Sequence, residues 1–515
     1  MDGIAPVMRN LTIFCLLFVI GIATTMAHNA CCLPAGEKAG LQLSAIYTDH
    51  MVIQRHKPFV VRGTADAGTK ITARLGTERR RTTTAEDGTW QLAFKSREAT
   101  RTPLTLTVTD GDTTLTLSDI LVGEVWLCSG QSNMAFMLHQ STEAQEHIAT
   151  APAKGIRIYD MRPRVYTDAV AWDSASLEKL NRLDYYLPTT WQSLTTANAP
   201  HFSAVAYHFG AMLADSLDVP IGLICNAVGG APIESYTDRH TQEQHPVLAD
   251  VLTDWRHNER IQPWVRGRAN QNIQLSSHPQ QRHPYEPCYL YEAGIVPLAG
   301  FPLRGVIWYQ GESNAHNVEL FEVQFPALVH SWRTAWADTV MPFHFVQLSS
   351  IARPTWPHFR DVQRRLAEEI PHCGMAVSSD HGDSLDVHPR HKRPIGERLA
   401  RIALHHDYGY SHVASSGPAI RHAERDGEYL VLRFDHGCGM KSSDGQPLRT
   451  FEVADEHGQY RPADEVEVRG NTIRLHSKHV RYPHRARYGW QPFTRANLIN
   501  AAGLPASTFE IAVKP

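Results

Sequence analysis

Residues 121–138 read LVGEVWLCSGQSNMAFML. An apolar, strand-like run ends at Cys128, Gly130 permits a tight turn, and the segment NMAFMLHQSTEAQEHI that follows Ser132 is suited to continue as a helix. Four further runs of the same character follow: PIGLICNAV (220–228), RGVIWYQ (304–310), FHFVQLSS (343–350) and GMAVSS (374–379). Between them lie amphipathic helical patterns. One places Val205, Phe209, Met212 and Leu213 on a single face, and another does so with Phe359, Val362, Leu366 and Ile370. Strands alternating with helices predict an α/β unit built on a doubly wound parallel sheet, here of five strands. The insertion at 232–300, rich in His, Gln and Pro, reads as extended loop.

Ligands of such sheets bind beyond the carboxyl ends of the strands. There the sequence reads SGQSNM after the first strand, GGAPIESY after the second, QGESN after the third and DHGDSLDVHP after the fifth. Two serines compete as nucleophile. Ser132 sits on a strand-to-helix turn, where a serine's own N–H joins an oxyanion hole. Ser384, in the string Gly382-Asp383-Ser384-Leu385, is followed five residues later by Pro389, which disfavours a helix starting on it, so the next credible helix begins near Arg393. Ser132 is preferred. A serine hydroxyl needs a general base, and His388 is the candidate, with His381 and His391 as controls. Asp386 is the first choice to orient its imidazole, Asp383 is the alternative acid and Asp380 a further carboxylate. The oxyanion donors available are the Ser132 N–H, a backbone N–H of Gly229 or Gly230, and a side-chain amide from Gln310 or Asn314. Glu312 either meets substrate hydroxyls or braces its loop.

The rest of the chain frames this unit. Of 515 residues, 42% are hydrophobic and 20% charged, which describes a soluble globular protein of two or three domains. A net charge of -3 offers no basic stripe, so nucleic acid is not an expected partner. Residues 1–27 read as a signal peptide: Arg9, the apolar run LTIFCLLFVIGIA, and a small-residue site ending at Ala27. That run is too short to span a bilayer, so the protein is expected to be exported, periplasmic or secreted. Cys31 in NACC is a weak candidate for lipid attachment. The cysteines lack metal or disulfide-framework spacing, and Cys128 and Cys225 read as buried thiols. Residues 41–118 read as a small β-sandwich, with a hairpin around Asp110-Gly111. Residues 119–412 form the α/β unit, and residues 413–515 a second β-rich segment.

LVGEVWLCSGQSNM, GLICNAVGGAPIESY, GVIWYQGESN and GDSLDVHPRHKRPIGERLA, in this order, resemble the SGNH hydrolase superfamily, and within it the sialate O-acetylesterase group with its bacterial relatives. PCYLYEAGIVPL and RYGWQPFTRANLINAAGLPASTF extend the likeness over nearly the whole mature chain. The resemblance implies a three-layer, flavodoxin-like α/β fold of SGNH type, with a five-stranded parallel sheet and flanking β-rich segments. It places the nucleophile at Ser132 and the glycine of the second block in Gly229-Gly230. Gly311-Glu312-Ser313-Asn314 departs from the superfamily's G-x-N-D, and Asp386-Val387-His388 departs from its D-x-x-H. The base carries over, the acid does not, and some members work with a Ser–His pair. Hydrolysis of O-acetyl esters on sugars follows, by an acyl-enzyme route without metal or organic cofactor. Sialic acid is the name-giving substrate, with acetylated xylan or pectin as alternatives. The aromatics Tyr159, Tyr166, Trp172, Tyr185, Tyr186, Trp255, Trp264 and Tyr285 are candidates for stacking on sugar faces. A non-catalytic glycan-binding protein and a general lipase or thioesterase are the competing classes.

Overall fold

The computed structural model describes residues 40–514, so the segment read as a signal peptide, and Cys31 with it, lie outside the described residues. One strand organises everything else. β1 (Thr114–Gly130) is 17 residues long; its first six alternate in exposure and its last eleven are all buried. That change marks its passage from an antiparallel pairing with one solvated face to a parallel sheet covered on both faces. The early half pairs antiparallel with Thr100–Thr109 across the expected Asp110-Gly111 turn. The late half pairs in parallel with the short strand Val52–Gln54 and with β3 (Ile221–Cys225) and β4 (Gly305–Tyr309).

The central sheet is completed by β2 (Ile156–Asp160), β5 (Phe343–Val346) and β6 (Cys373–Ala376). Its order is β2-β3-β1-β4-β5-β6, all parallel, with a two-residue antiparallel edge at Gln192–Ser193. All five expected strands are present, but the count is corrected to six, because β2 was not read as a strand. Its sequence IRIYD carries Arg157 at a buried position, where an apolar residue is expected. The structure accommodates it by pairing Arg157 Nη2 with Asp119 Oδ2 at 2.9 Å and Nη1 with the His50 carbonyl at 2.8 Å.

Five helices flank the sheet: α1 (Ser132–Ala135), α2 (Ala204–Leu217), α3 (Val318–Ala335), α4 (Trp356–Glu369) and α5 (Arg393–His406). α2 packs on α5, and α3 on α4. α2 starts at Ser203, whose hydroxyl accepts the Ala206 N–H, and it buries Val205, Phe209 and Leu213 as the periodicity required. The long helix expected after Ser132 is corrected to a single turn. The chain leaves it at Phe136, where Phe136 O accepts from Ala204 N and Leu138 N donates to Phe202 O, so pairing with the start of α2 displaces helical bonding. The insertion at 232–300 is likewise not bare loop; short helices occupy Arg239–Glu243, Pro246–Val251 and Pro263–Asn272.

One hydrophobic core runs from Leu41 to Leu404, so the N-terminal strands share it with the central sheet, and the expected boundary at 118/119 falls inside β1. A second core covers Ile420 to Phe509 and is built from two four-stranded sheets and the two-stranded pair of Lys441–Ser442 with Leu498–Ile499. Arg360 of α4 joins the two cores. Fully buried, it donates to Thr508 Oγ1 and to the carbonyls of Gly489, Gln491 and Pro492, at 2.8–3.0 Å. Arg360→Met keeps the stem but removes four hydrogen bonds and leaves Thr508 Oγ1 and Gln491 O without a donor, while Gly489 O keeps the Thr508 hydroxyl and Pro492 O keeps the Ile351 N–H. It is expected to destabilise the protein by about 3 kcal/mol, read as a lower denaturant midpoint. An unchanged midpoint would show that Arg360 does not hold the C-terminal segment.

Candidate active site

The carboxyl ends of β1, β3, β4 and β6 lie together, and the loops that leave them build the site. At the end of β1, Gly130 has φ of +135°, and a Cβ there would come within 2.2 Å of Tyr309 O. Only glycine allows β1 and β4 to close in this way, and Gln131 N then donates to Tyr309 O at 2.9 Å. This turn presents Ser132 as the first residue of α1.

Ser132 Oγ and His388 Nε2 are 2.7 Å apart, although 256 positions separate them in the chain. With its proton on Nδ1, the imidazole accepts the serine hydroxyl. Burial, and after it the Lys392 cation, hold His388 below the usual imidazole pKa, against the opposing pull of Asp386. The ring is therefore neutral, and basic, at neutral pH. Asp386 Oδ1 stands 3.7 Å from His388 Nδ1, beyond hydrogen-bond reach, and accepts instead from the His388 N–H at 2.8 Å. Asp383 turns away: its Oδ1 accepts from the N–H groups of Leu385 and Asp386 at 2.8 and 2.9 Å, which keep its carboxyl below the usual range. Asp380 is held by both terminal nitrogens of Arg398 at 2.8 and 2.6 Å, and His381 and His391 stack on each other. Ser384 is tied by its carbonyl to Ala352 N and does not line the cavity into which Ser132 faces.

Gly229 adjoins Ser132; a Cβ on it would lie 3.9 Å from Ser132 Cβ. Its carbonyl accepts from Thr167 Oγ1 and from the Tyr285 hydroxyl, both at 2.9 Å, which fixes the turn. Gly230 does not line the cavity, and its carbonyl accepts from Ser313 Oγ. The expectation of an oxyanion-hole amide from Gln310 or Asn314 is corrected. Gln310 Nε2 donates to Asn314 Oδ1 at 2.7 Å and to Ala231 O, while Asn314 Nδ2 donates to Glu234 Oε2 and Gln324 Oε1. Both are buried behind the site, and neither lines the cavity. Of the expected donors, the backbone N–H groups of Ser132 and Gly229 belong to residues that line the cavity.

A buried polar knot, not foreseen from the sequence, joins the loops. Asn133 Nδ2 donates to Glu312 Oε1 at 2.5 Å and to Val387 O, next to His388, at 3.0 Å. Lys392 Nζ donates to Asn133 Oδ1 and lies 4.6 Å from the centre of the Phe136 ring. Burial raises the Glu312 carboxyl and pushes the Lys392 ammonium down to about 7. Gln131 Oε1 accepts from Gly311 N and Ser313 N at 3.3 and 3.4 Å. Glu312 therefore braces loops rather than facing substrate. Asn133 and Lys392 could have been suspected as polar side chains flanking the nucleophile and base motifs, but no spacing rule pairs them.

The Ser–His pair opens into a cavity of about 670 Å³, walled also by Met161, Arg162 and Tyr166 from the loop after β2. Of the eight aromatic candidates, Tyr166 and Tyr185 line it, and Tyr166 is 55% exposed. The others do not line it: Tyr159 lies within β2, Trp172 stacks on His283, Trp264, 40% exposed, sits edge-on to Tyr285, and the Tyr186 hydroxyl donates to Asn226 O. Cys128 and Cys225 are buried neighbours on β1 and β3. Among the described residues no group of three or more His, Cys, Asp or Glu is placed to hold a metal ion, and no helix is long and apolar enough to cross a membrane.

Comparison with known proteins agrees with this chemistry. Residues 122–405 match the family model described as carbohydrate esterase, sialic acid-specific acetylesterase. The sialate O-acetylesterase of Mus musculus is 30% identical over 391 residues, covering 68% of this chain and 69% of its own. That of Rattus norvegicus is 28% identical over 470 residues, covering 81% and 83%. Among solved structures, a carbohydrate acetylesterase from Xanthomonas citri superposes with a TM-score of 0.75 at 29% identity, covering 92% of this chain and 99% of that one. A serine within hydrogen-bond reach of a histidine at the strand ends, in a chain with these relatives, belongs to a carboxylic ester hydrolase of the sialic acid-specific acetylesterase family of carbohydrate esterases.

Proposed function

We propose that the protein is an exported serine esterase that removes O-acetyl groups from sugars. The observation that carries this reading is the 2.7 Å approach of Ser132 Oγ to a neutral His388 in a cavity large enough for a sugar. Ser132 Oγ attacks the acetyl carbonyl while His388 Nε2 takes its proton. The oxyanion that forms is met by the N–H groups of Ser132 and Gly229. As the intermediate collapses, His388 returns the proton to the departing sugar oxygen, which leaves as an alcohol. Water, deprotonated by His388, then attacks the acetyl-serine, and acetate is released.

The test is acetate release from O-acetylated N-acetylneuraminic acid, acetylated xylan and acetylated pectin, beside a long-chain acyl ester. Release from at least one sugar and none from the long chain is expected. The reverse would place the protein with general lipases, and inactivity on every ester together with retained glycan binding would make it a binding protein.

The acid is the weakest member of the set. An exposed pair at 3.7 Å is worth at most about 1 kcal/mol, so Asp386→Asn is expected to lower kcat/KM by only about fivefold. For the intact enzyme, kcat/KM is expected to be level above neutral pH. It falls as pH drops through a midpoint below the ordinary imidazole value of 6.5, because only neutral His388 accepts the serine proton. Asp386 is the group that raises this pKa, so in the variant the midpoint moves lower still. A pH–rate profile of both proteins checks this; a loss near 10⁴-fold would instead mean that Asp386 swings into a full bond with Nδ1.

A further inference from the structure

Beside the cavity that holds Ser132 and His388 lies a second one of about 370 Å³, and the two share Asp160, Arg162 and His201 as a common wall. Neither Ser132 nor His388 lines the second cavity, so acyl transfer itself has no use for it. Its chemistry is nevertheless specific. Arg162 donates its Nε to Asp160 Oδ2 at 2.7 Å, while its two terminal amino groups make no hydrogen bond among the described residues. Burial raises the Asp160 carboxyl, and Arg162 opposes that rise. A carboxylate acceptor and a guanidinium donor edge therefore stand side by side at the junction. Neighbouring hydroxyls on a sugar ring donate to the one and accept from the other. Beyond the wall, Thr189, Thr190, Gln192 and Asn198 add hydroxyl and amide groups, and Leu187, 42% exposed, adds an apolar surface for ring C–H groups.

We propose that the second cavity is a sugar subsite, and that the substrate is an O-acetylated oligosaccharide of at least two residues. The acetylated ring sits over Ser132, and its neighbour is held across the Asp160–Arg162 wall. The assignment rests on the sugar acetylesterase reading above and narrows it, since a free acetylated monosaccharide would leave the second cavity unused. The pair on the wall also fixes which residues set the preference: they come from β2 and the loop after it, not from the nucleophile or base loops.

The experiment compares kcat/KM for matched substrates. Free O-acetylated N-acetylneuraminic acid is set against the same acetylated sugar within sialyllactose, and acetylated xylose against acetylated xylobiose, with 4-nitrophenyl acetate as the subsite-independent reference. In the native protein at least one linked sugar is expected to be cleaved about tenfold or more faster than its free partner. Ala197 is exposed, lines only the second cavity and offers no side-chain hydrogen bond. Ala197→Trp fills that cavity and should bring the ratio to about one, with the 4-nitrophenyl acetate rate within twofold of native. Arg162→Gln should also remove most of the preference, and it decides the matter if the Trp variant fails to fold. Ratios near one for both pairs in the native protein, or a preference that survives in both variants, would overturn the subsite alone. Turnover of 4-nitrophenyl acetate with no acetylated sugar cleaved would overturn the sugar reading itself.

Discussion

Ser132→Ala is expected to lower acetate release from 4-nitrophenyl acetate by about 10³-fold or more, while Ser384→Ala changes it by less than twofold. The contrast follows from where each hydroxyl stands. Ser132 Oγ is 2.7 Å from His388 Nε2 and faces the cavity, whereas Ser384 sits on the loop before His388 and does not line it. His388→Ala should cost about as much as Ser132→Ala, and the double variant little more than either. Nucleophile and base act as one unit, so removing the second partner takes away nothing that the first loss left. What activity remains in each variant reports the two backbone donors and substrate binding, which neither substitution touches. Equal losses in the Ser132 and Ser384 variants, or none in either, would remove Ser132 from the reaction. Additive losses in the double variant would mean that serine and histidine serve separate steps.

The parts of this arrangement that could be read from the sequence are those that obey local rules. Uninterrupted apolar runs marked β1, β3, β4, β5 and β6, and the polar residues that follow them collected Ser132, Gly229 and His388 at one end of the sheet. β2 escaped notice because the charge of Arg157 is neutralised by Asp119, which a linear reading cannot pair with it. The helix expected after Ser132 is cut short by Phe202 and Ala204, some 70 residues away, which compete for the backbone bonds of Leu138 and Phe136. Gln310 and Asn314 are reasonable amide donors by position, yet Gln310 Nε2 is spent on Asn314 Oδ1 and Asn314 Nδ2 on the buried Glu234. An amide beside a nucleophile motif is as useful for holding loops as for meeting an oxyanion, and only side-chain direction separates the two. The same ambiguity over Glu312 is resolved by its contact with Asn133.

That contact leads to the second large effect. Asn133→Ala is expected to reduce kcat about 10²-fold with KM within threefold of native, because a displacement of about 1 Å between reacting groups is enough for such a loss. Asn133 is fully buried and stands where three elements meet: its amide donates to Glu312 after β4 and to Val387 beside the base, and its carbonyl accepts from Lys392. Taking it away frees the His388 loop from the helix that carries Ser132, so the 2.7 Å approach is no longer enforced. Glu312→Gln makes the informative partner. The glutamine keeps a carbonyl oxygen for Asn133 but loses the charge facing Lys392, whose ammonium already sits near 7 and then falls further. Neutral Lys392 still donates to Asn133, so the tether survives and kcat should fall less than tenfold. Steady-state kinetics well below each variant's unfolding temperature read the difference. A rise in KM at constant kcat would assign Asn133 to substrate binding. Equal losses in the Asn133 and Glu312 variants would show that the charge pair, rather than the amide tether, sets the geometry of the serine and histidine.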